Sequence, residues 1–257
     1  MPFVEVGNLR THYSLADSDR PVLMFSNSLG TDFSMWDPQI SELSKRYRLL
    51  RYDTRGHGQT AVTAGDYDVD QLGRDVIGLL DALKIQRVHF CGLSMGGMIG
   101  MWLGIHAAER LNRLVVCSTA AKIGTAEGWN ARIAMVRKDG MKPVAASVVE
   151  RWFTAEFRAS NTETVTKTRR MLEVASPDGY IGCCASVRDM DQRDAIVRIK
   201  TPTLVIYSSK DPAIPVADAL FVKNNIAGAE AMELNAAHLS NVEQAEAFTK
   251  AVSSFLS

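Results

Sequence analysis

The sequence lacks a surplus of charge of either sign. Its 257 residues carry 29 basic and 29 acidic side chains, so the formal net charge is zero. A protein that binds nucleic acid or an anionic membrane through its overall charge needs a basic excess, and we therefore expect neither partner. With 46% hydrophobic and 23% charged residues, the composition excludes disordered, collagen-like and disulfide-scaffold chains. A chain of this length can bury a large core without disulfides or metals.

Cysteine is scarce, and its spacing is not typical of a metal site or a redox pair. Cys91, Cys117, Cys183 and Cys184 lie among apolar or small residues, which predicts buried free thiols in a reducing compartment. The adjacency of Cys183 and Cys184 leaves a redox role open. The sequence has no phosphate-cradling, dinucleotide-binding or metal motif, so we expect no cofactor and no metal. The polar N-terminal residues predict no signal peptide and hence a cytoplasmic protein.

The longest run without Asp, Glu, Lys or Arg covers residues 88–108. Glycines at positions 92, 96, 100 and 104 repeat every four residues, as they do in paired membrane helices. The β-branched start and the glycine cluster in the middle favour instead a short buried strand, a tight turn and a buried helix. We therefore reject a membrane span.

Short apolar segments alternate with helical patterns along the chain. Strands are predicted over residues 3–6, 11–15, 22–25, 47–52, 88–91, 114–117, 203–207 and 231–234, and helices over 36–45, 69–83 and 243–256. This alternation is typical of an α/β fold with a mostly parallel sheet and helices on both faces. Residues 122–190 are mostly helical, which predicts a helical cap inserted into a core domain of residues 1–121 and 191–257.

The sequence Gly-Leu-Ser-Met-Gly over residues 92–96 stands between the predicted strand and helix, the context that a nucleophile elbow requires. Such a turn forces Ser94 into a strained conformation and exposes its hydroxyl. We expect glycine two residues before and after Ser94 because larger residues would clash with one another. The following helix directs free N–H groups and its positive dipole end at charge that develops beside the serine. We predict that Ser94 is a nucleophile.

The elbow pattern requires an acid and then a histidine further along the chain. Asp211 follows the predicted strand over residues 203–207, at a carboxyl end where sites collect in such sheets. His238 follows the last predicted strand and precedes the last helix. The order Ser94, Asp211, His238 predicts a catalytic triad in the order of the hydrolases. The other histidines are expected to be structural, and His57 is expected to brace a loop.

Two backbone N–H groups are candidates for an oxyanion hole. One donor is expected on the residue after the nucleophile, Met95, and the second on the loop that follows the third strand. Residues 26–30 form that loop, and their position assigns the second donor to Leu29. Both groups would stabilise the negative oxygen of a tetrahedral intermediate.

These residues resemble the α/β-hydrolase fold over essentially the whole chain. More narrowly, the sequence resembles the bacterial 3-oxoadipate enol-lactonases. The segments that carry this resemblance are Ser-Asn-Ser-Leu-Gly-Thr-Asp at 26–32, Gly-Trp-Asn-Ala-Arg at 128–132 and His-Leu-Ser-Asn-Val-Glu-Gln at 238–244. Most hydrolases of this fold have His-Gly where this chain has Asn27 and Ser28. The chain departs from the family at residues 235–237, where the family usually has more glycine.

The resemblance implies a serine hydrolase that opens 3-oxoadipate enol-lactone in the β-ketoadipate pathway of aromatic-acid catabolism. This small lactone bears a carboxylate, so the pocket requires a cation or several N–H donors. Arg132 is the candidate cation, with Trp129 and Ser28 as further substrate contacts. Arg132 shares its predicted helix with Arg137 and Lys138, so a solvent-exposed role stays open. Trp129 can equally belong to the core of the cap.

Other functions stay open on the sequence alone. A general carboxylesterase or a C–C-bond hydrolase would use the same triad under a different cap. A non-catalytic binding module of this fold is less consistent with intact Ser94, Asp211 and His238, and a dehalogenase would have aspartate at the elbow. The sequence does not determine the oligomeric state, so a homo-oligomer also stays open.

Overall fold

One eight-stranded sheet forms the centre of the computed structural model, which describes residues 2–257. Its strands are β1 (Phe3–Val6), β2 (Leu9–Leu15), β3 (Val22–Ser26), β4 (Arg48–Tyr52), β5 (Val88–Leu93), β6 (Leu111–Cys117), β7 (Thr203–Ser208) and β8 (Glu230–Leu234). The strand order is β1-β2-β4-β3-β5-β6-β7-β8. β1 and β2 are antiparallel to their neighbours, and all pairs from β4 to β8 are parallel. The predicted α/β architecture is confirmed.

The described residues contain eleven α-helices and three short 3₁₀ helices. The α-helices are α1 (Asp37–Leu43), α2 (Val69–Ala82), α3 (Met95–His106), α4 (Ala126–Asp139), α5 (Met141–Trp152), α6 (Ala155–Ser160), α7 (Thr162–Glu173), α8 (Pro177–Asp189), α9 (Val216–Asn225), α10 (Ser240–Glu243) and α11 (Ala245–Phe255). The 3₁₀ helices are Phe33–Trp36, Ala108–Arg110 and Ile196–Arg198.

Helix α3 is apolar on all sides because it packs between the sheet and α2. Its residues from Met95 to Gly104 are buried. A Cβ atom on Gly100 would contact the side chains of Phe90 and Leu114 in β5 and β6, so glycine permits the close approach of helix and sheet. Among the described residues, no helix combines the length and apolarity that crossing a bilayer requires.

Two predicted helices differ from the observed ones. The helix predicted over residues 36–45 begins earlier, as the 3₁₀ turn Phe33–Trp36, because the side chain of Asp32 caps that turn by accepting from the Ser34 N–H. The closing helix predicted over 243–256 is two helices, since Gln244 has φ −122° and ψ 49° and interrupts the helical backbone.

Helices α4 to α8 lie between β6 and β7 in the chain. Helix α8 contacts the loop after β4 so closely that a Cβ atom on Gly179 would overlap the backbone of Gly56. The carbonyl of Gly182 accepts a 3.1 Å hydrogen bond from the N–H of Tyr67. The division into a core domain and a cap at residues 122 and 190 stays a prediction.

Candidate active site

Ser94 occupies the turn between β5 and α3 with φ 57° and ψ −114°. Residues with a side chain rarely adopt a positive φ, and such strain is common at functional sites. Two hydrogen bonds stabilise the turn. The N–H of Ser94 donates to the carbonyl of Cys117 at 2.8 Å, and the hydroxyl of Thr119 donates to the carbonyl of Ser94 at 2.8 Å. The strained elbow that the sequence predicts is confirmed.

Different neighbours require glycine at positions 92 and 96 of the elbow. A Cβ atom on Gly92 would overlap the carbonyl of Gly96, as predicted. A Cβ atom on Gly96 would instead overlap the carbonyl of Ser26 at the end of β3. The constraint between the two glycines is confirmed at Gly92, and the tightest constraint on Gly96 comes from a strand far away in the sequence, which the elbow pattern does not predict.

Asp211 and His238 form a buried pair at the carboxyl end of the sheet. Nδ1 of His238 lies 2.7 Å from Oδ2 of Asp211, and the two side chains are 4% and 1% exposed. The other carboxylate oxygen accepts from the N–H groups of Ala213 at 2.8 Å and Ile214 at 3.2 Å. Because an ionised carboxylate only accepts, Nδ1 carries the proton and Nε2 is left as an acceptor.

Ser94 and His238 line one cavity of about 320 Å³ between the sheet and the helices α4, α5 and α8. No hydrogen bond joins Ser94 Oγ to His238 within residues 2–257, and such a contact often tightens only when substrate binds. The ring of Trp152 stacks on His238 with centroids 6.2 Å apart. The N–H of Leu239 donates to the carbonyl of Trp152 at 3.1 Å.

The loop after β3 is held by side chains on both sides of Leu29. Asn27 accepts from Trp36 Nε1 at 2.9 Å and donates to the carbonyl of Tyr52 at 2.9 Å. The N–H of Gly30 donates to Nε2 of His57 at 2.8 Å. Burial lowers the pKa of His57 to about 4, so its ring is neutral and can accept this bond. His57 braces this loop, as predicted.

The two predicted oxyanion donors have no protein acceptor within the part of the chain that the structure describes. Leu29 lines the cavity beside Ser94, and its N–H makes no hydrogen bond there. Met95 is the first residue of α3, so its N–H also has no partner inside the helix. The geometry thus leaves both donors available, as an oxyanion hole requires.

The cavity brings together the predicted substrate contacts Ser28, Trp129 and Arg132. The indole N–H of Trp129 donates to the carbonyl of Ile123 at 2.7 Å, so the ring both lines the cavity and is bonded to the chain just before α4. The Arg132 guanidinium lies 5.1 Å from the centre of the Trp129 ring and donates to Tyr180 Oη at 3.5 Å. Arg132 therefore faces the cavity and is not a fully exposed charge.

Arg151, which none of the sequence motifs indicates, lines the same cavity. Burial lowers the pKa of its guanidinium, and the nearby charge of Arg132 lowers it further. A signal was present in α5, where Arg151 stands between the buried Val149 and Trp152 on an otherwise amphipathic helix. Tyr180 was missed too, and burial raises the pKa of its phenol.

The cysteines are free and buried, as predicted. Burial raises the pKa of Cys184 to about 12, and it raises the pKa of Cys183 as well. Because the thiolate is the reactive form, neither thiol is activated for redox chemistry. Within residues 2–257, no three His, Cys, Asp or Glu side chains are placed to hold a metal ion.

Known proteins with the same fold match nearly the whole chain. Residues 21–245 match the family of the alpha/beta hydrolase fold. Two 3-oxoadipate enol-lactonases of Acinetobacter baylyi are 46% and 42% identical, over 93% and 92% of this chain and 90% and 88% of theirs. The crystal structure of the enol-lactonase from Burkholderia xenovorans LB400 has a TM-score of 0.98 and 42% identity, with 99% of each chain covered. The chain belongs to the α/β-hydrolase fold family, and over most of its length it is similar to 3-oxoadipate enol-lactonases.

Proposed function

We propose that this protein hydrolyses 3-oxoadipate enol-lactone to 3-oxoadipate through an acyl-enzyme on Ser94. One observation carries the proposal: the cavity that contains Ser94 and the bonded pair of His238 and Asp211 also contains Arg132 beside Trp129. A nucleophile, a base and a cation for a carboxylate thus share one space. The relatives named as enol-lactonases support the same substrate. Four buried free thiols support a reducing, cytoplasmic location.

Acylation begins at Ser94. Nε2 of His238 takes the hydroxyl proton while Ser94 Oγ forms a bond to the lactone carbonyl carbon. Asp211 holds the ring orientation and stabilises the imidazolium. The N–H groups of Leu29 and Met95 donate to the carbonyl oxygen as it becomes negative, and the loss of one such donor typically costs about 3–4 kcal/mol.

Ring opening then releases an enolate that stays attached to the acyl group. The ring C–O bond breaks, and its electron pair goes to the ring oxygen. A tethered nucleophile of this kind can re-close at a high effective concentration. The proton held by His238 converts the enolate to the ketone, which removes that nucleophile. Water then attacks the acyl-enzyme, with His238 as the base, and returns the proton to Ser94.

The substrate carboxylate is assigned to Arg132. A guanidinium binds a carboxylate through two parallel N–H bonds, and this one lies over the Trp129 ring. Ser28 lines the same cavity and supplies a further polar contact. This arrangement predicts a strong preference for an anionic lactone over a neutral ester.

The proposal is tested by comparing kcat/KM for the enol-lactone with kcat/KM for a neutral short-chain ester. Wild type is expected to prefer the lactone, S94A to be inactive and unlabelled by a fluorophosphonate, and R132M to lose affinity mainly for the lactone. R137M, on the exposed side of the same helix, is the matched control. Equal effects of R132M on both substrates would exclude the carboxylate role, and equal rates in wild type would favour a general carboxylesterase.

A further inference from the structure

The cavity holds a second guanidinium at the end where the catalytic pair lies. Arg151 precedes Trp152, whose ring stacks on His238. Together with Pro212, the neighbour of Asp211, Arg151 lines both the active cavity and an adjoining cleft that reaches Lys210 and Ala237. Arg132 lies against Trp129 and Tyr180, close enough to Arg151 for the two positive charges to repel. Of the two arginines, Arg151 is therefore the one whose chain neighbour stacks on the catalytic histidine.

Neither arginine has an acidic partner. Across residues 2–257, no carboxylate lies within ion-pair distance of Arg132 or Arg151, and Arg151 makes no hydrogen bond to protein. Glu150 and Glu156 line the adjoining cleft but do not pair with Arg151. Both arginines are half-buried, and charged side chains that are withdrawn from solvent are normally paired. Two unpaired cations side by side indicate that the site is completed by negative charge on the substrate.

The single carboxylate of the lactone can pair with only one of the two arginines. In the enol-lactone of 3-oxoadipate, a single CH₂ group separates the carboxylate from the carbon that bears the ring oxygen. When the ring opens, that oxygen takes the electron pair of the broken C–O bond. The second negative charge thus appears only during the reaction, on the leaving oxygen and close to the first charge.

We propose that Arg151 stabilises the enolate oxygen that leaves during ring opening, while Arg132 holds the carboxylate. The proposal rests on the proposed function. As Ser94 Oγ bonds to the carbonyl carbon and the ring C–O bond breaks, the Arg151 N–H groups donate to the departing oxygen. The proton on His238 then passes to the enolate. A contact made only as charge develops raises kcat, whereas a contact to a group that is charged throughout lowers KM.

The experiment uses two lactones that open to the same kind of enolate. One is 3-oxoadipate enol-lactone, and the other is α-angelica lactone, which has a hydrogen where the first has the carboxylate. Steady-state kinetics are measured for R151M, R151K and R132M. K142M, on the exposed side of the same helix as Arg151, is the matched control, and thermal unfolding checks that each variant is folded.

We expect R151M to lower kcat about 100-fold on both lactones, the size of effect seen when one oxyanion donor is removed. KM for the charged lactone should change by less than about threefold, and R151K should restore part of kcat because it keeps the charge. R132M should instead impair the charged lactone more than the neutral one. K142M should behave as wild type.

The proposal is overturned if R151M opens α-angelica lactone at the wild-type kcat, because Arg151 would then be only a second carboxylate contact. If R151M does not fold, an R151K variant with unchanged kcat and raised KM for the charged lactone overturns it equally. Failure of the proposed function is distinct, since wild type would then open neither lactone and both proposals would fall together.

Discussion

The N–H of Gly30 donates to Nε2 of His57, and the two residues join the loop after β3 to the loop after β4. Nδ1 of the same ring lies 3.2 Å from the carbonyl of Arg55. The imidazole can make both bonds only with the proton on Nδ1 and none on Nε2. The loop that holds Leu29 therefore depends on a neutral His57.

Acid should weaken the fold through His57. Burial lowers its pKa from 6.5 to about 4, so the unfolded chain binds more protons than the folded one between these values. The contribution of neutral His57 to the free energy of unfolding is thus fully present above pH 6.5. It is lost as the pH falls toward about 4, by up to about 3 kcal/mol. Urea unfolding over this window should show a smaller loss for H57Q, whose side-chain oxygen accepts from Gly30 without titrating.

The same comparison separates His57 from other titrating groups. Burial raises the pKa of Asp53, for example, but that effect is common to wild type and H57Q. A loss of stability with equal slope in both proteins would show that His57 does not control it.

Alanine at either elbow glycine should destabilise the protein. G92A places a Cβ atom on the carbonyl of Gly96, and G96A places one on the carbonyl of Ser26. Backbone cannot yield as a side chain does, so each change should cost about 3 kcal/mol or more. G128A is the control, because its Cβ atom would meet nothing closer than 3.5 Å and a helical alanine is favoured by about 0.5–1 kcal/mol. Elbow variants as stable as wild type would refute this account.

The two unpaired arginines should lower the free energy of unfolding of the ligand-free protein. R151M removes one of two neighbouring like charges, and we expect it to raise the free energy of unfolding by about 0.5–1 kcal/mol. Adipate, a dianion that resembles the product, should stabilise wild type by about 3 kcal/mol at a hundred times its Kd. Thermal unfolding should show that R132M, which lacks the proposed carboxylate contact, loses most of this gain while R151M keeps it, and hexanediol should stabilise none of the three proteins. An equal shift with adipate in wild type and R132M would contradict the carboxylate role of Arg132.

Glu243 connects the loop before His238 to the end of α5. Its carboxylate accepts from the N–H of Ala237 at 3.0 Å and from both the N–H and the hydroxyl of Thr154. E243A should lower kcat about tenfold, because a displaced catalytic group loses alignment, with a smaller change in KM. E243Q keeps an accepting oxygen and should recover much of kcat. E246A, an exposed change nearby, is the control, and a loss of thermal stability in E243A with kcat intact would assign Glu243 a structural role alone.

The elbow and the acid–histidine pair were predictable because their signals are local. Ser94 lies in a five-residue pattern, and Asp211 and His238 each follow a strand that the apolar runs reveal. The local signal in α5 did not place Arg151 in the active cavity, because its position there depends on how α5 packs against α4 and α7. Strand β6 begins at Leu111, three residues before its prediction, because the polar Asn112 and Arg113 hide its start.

The position of helices α4 to α8 in the chain affects how the substrate specificity of such enzymes can evolve. They leave after β6 and return before β7, and the N–H of Gln192 donates to the carbonyl of Ala121 at 2.8 Å. The chain before α4 and the chain after α8 therefore meet, and lengthening a connection between fixed ends costs little free energy. The segment between these two residues can change in length and sequence, so a new substrate can be acquired in evolution while Ser94, Asp211 and His238 keep their positions.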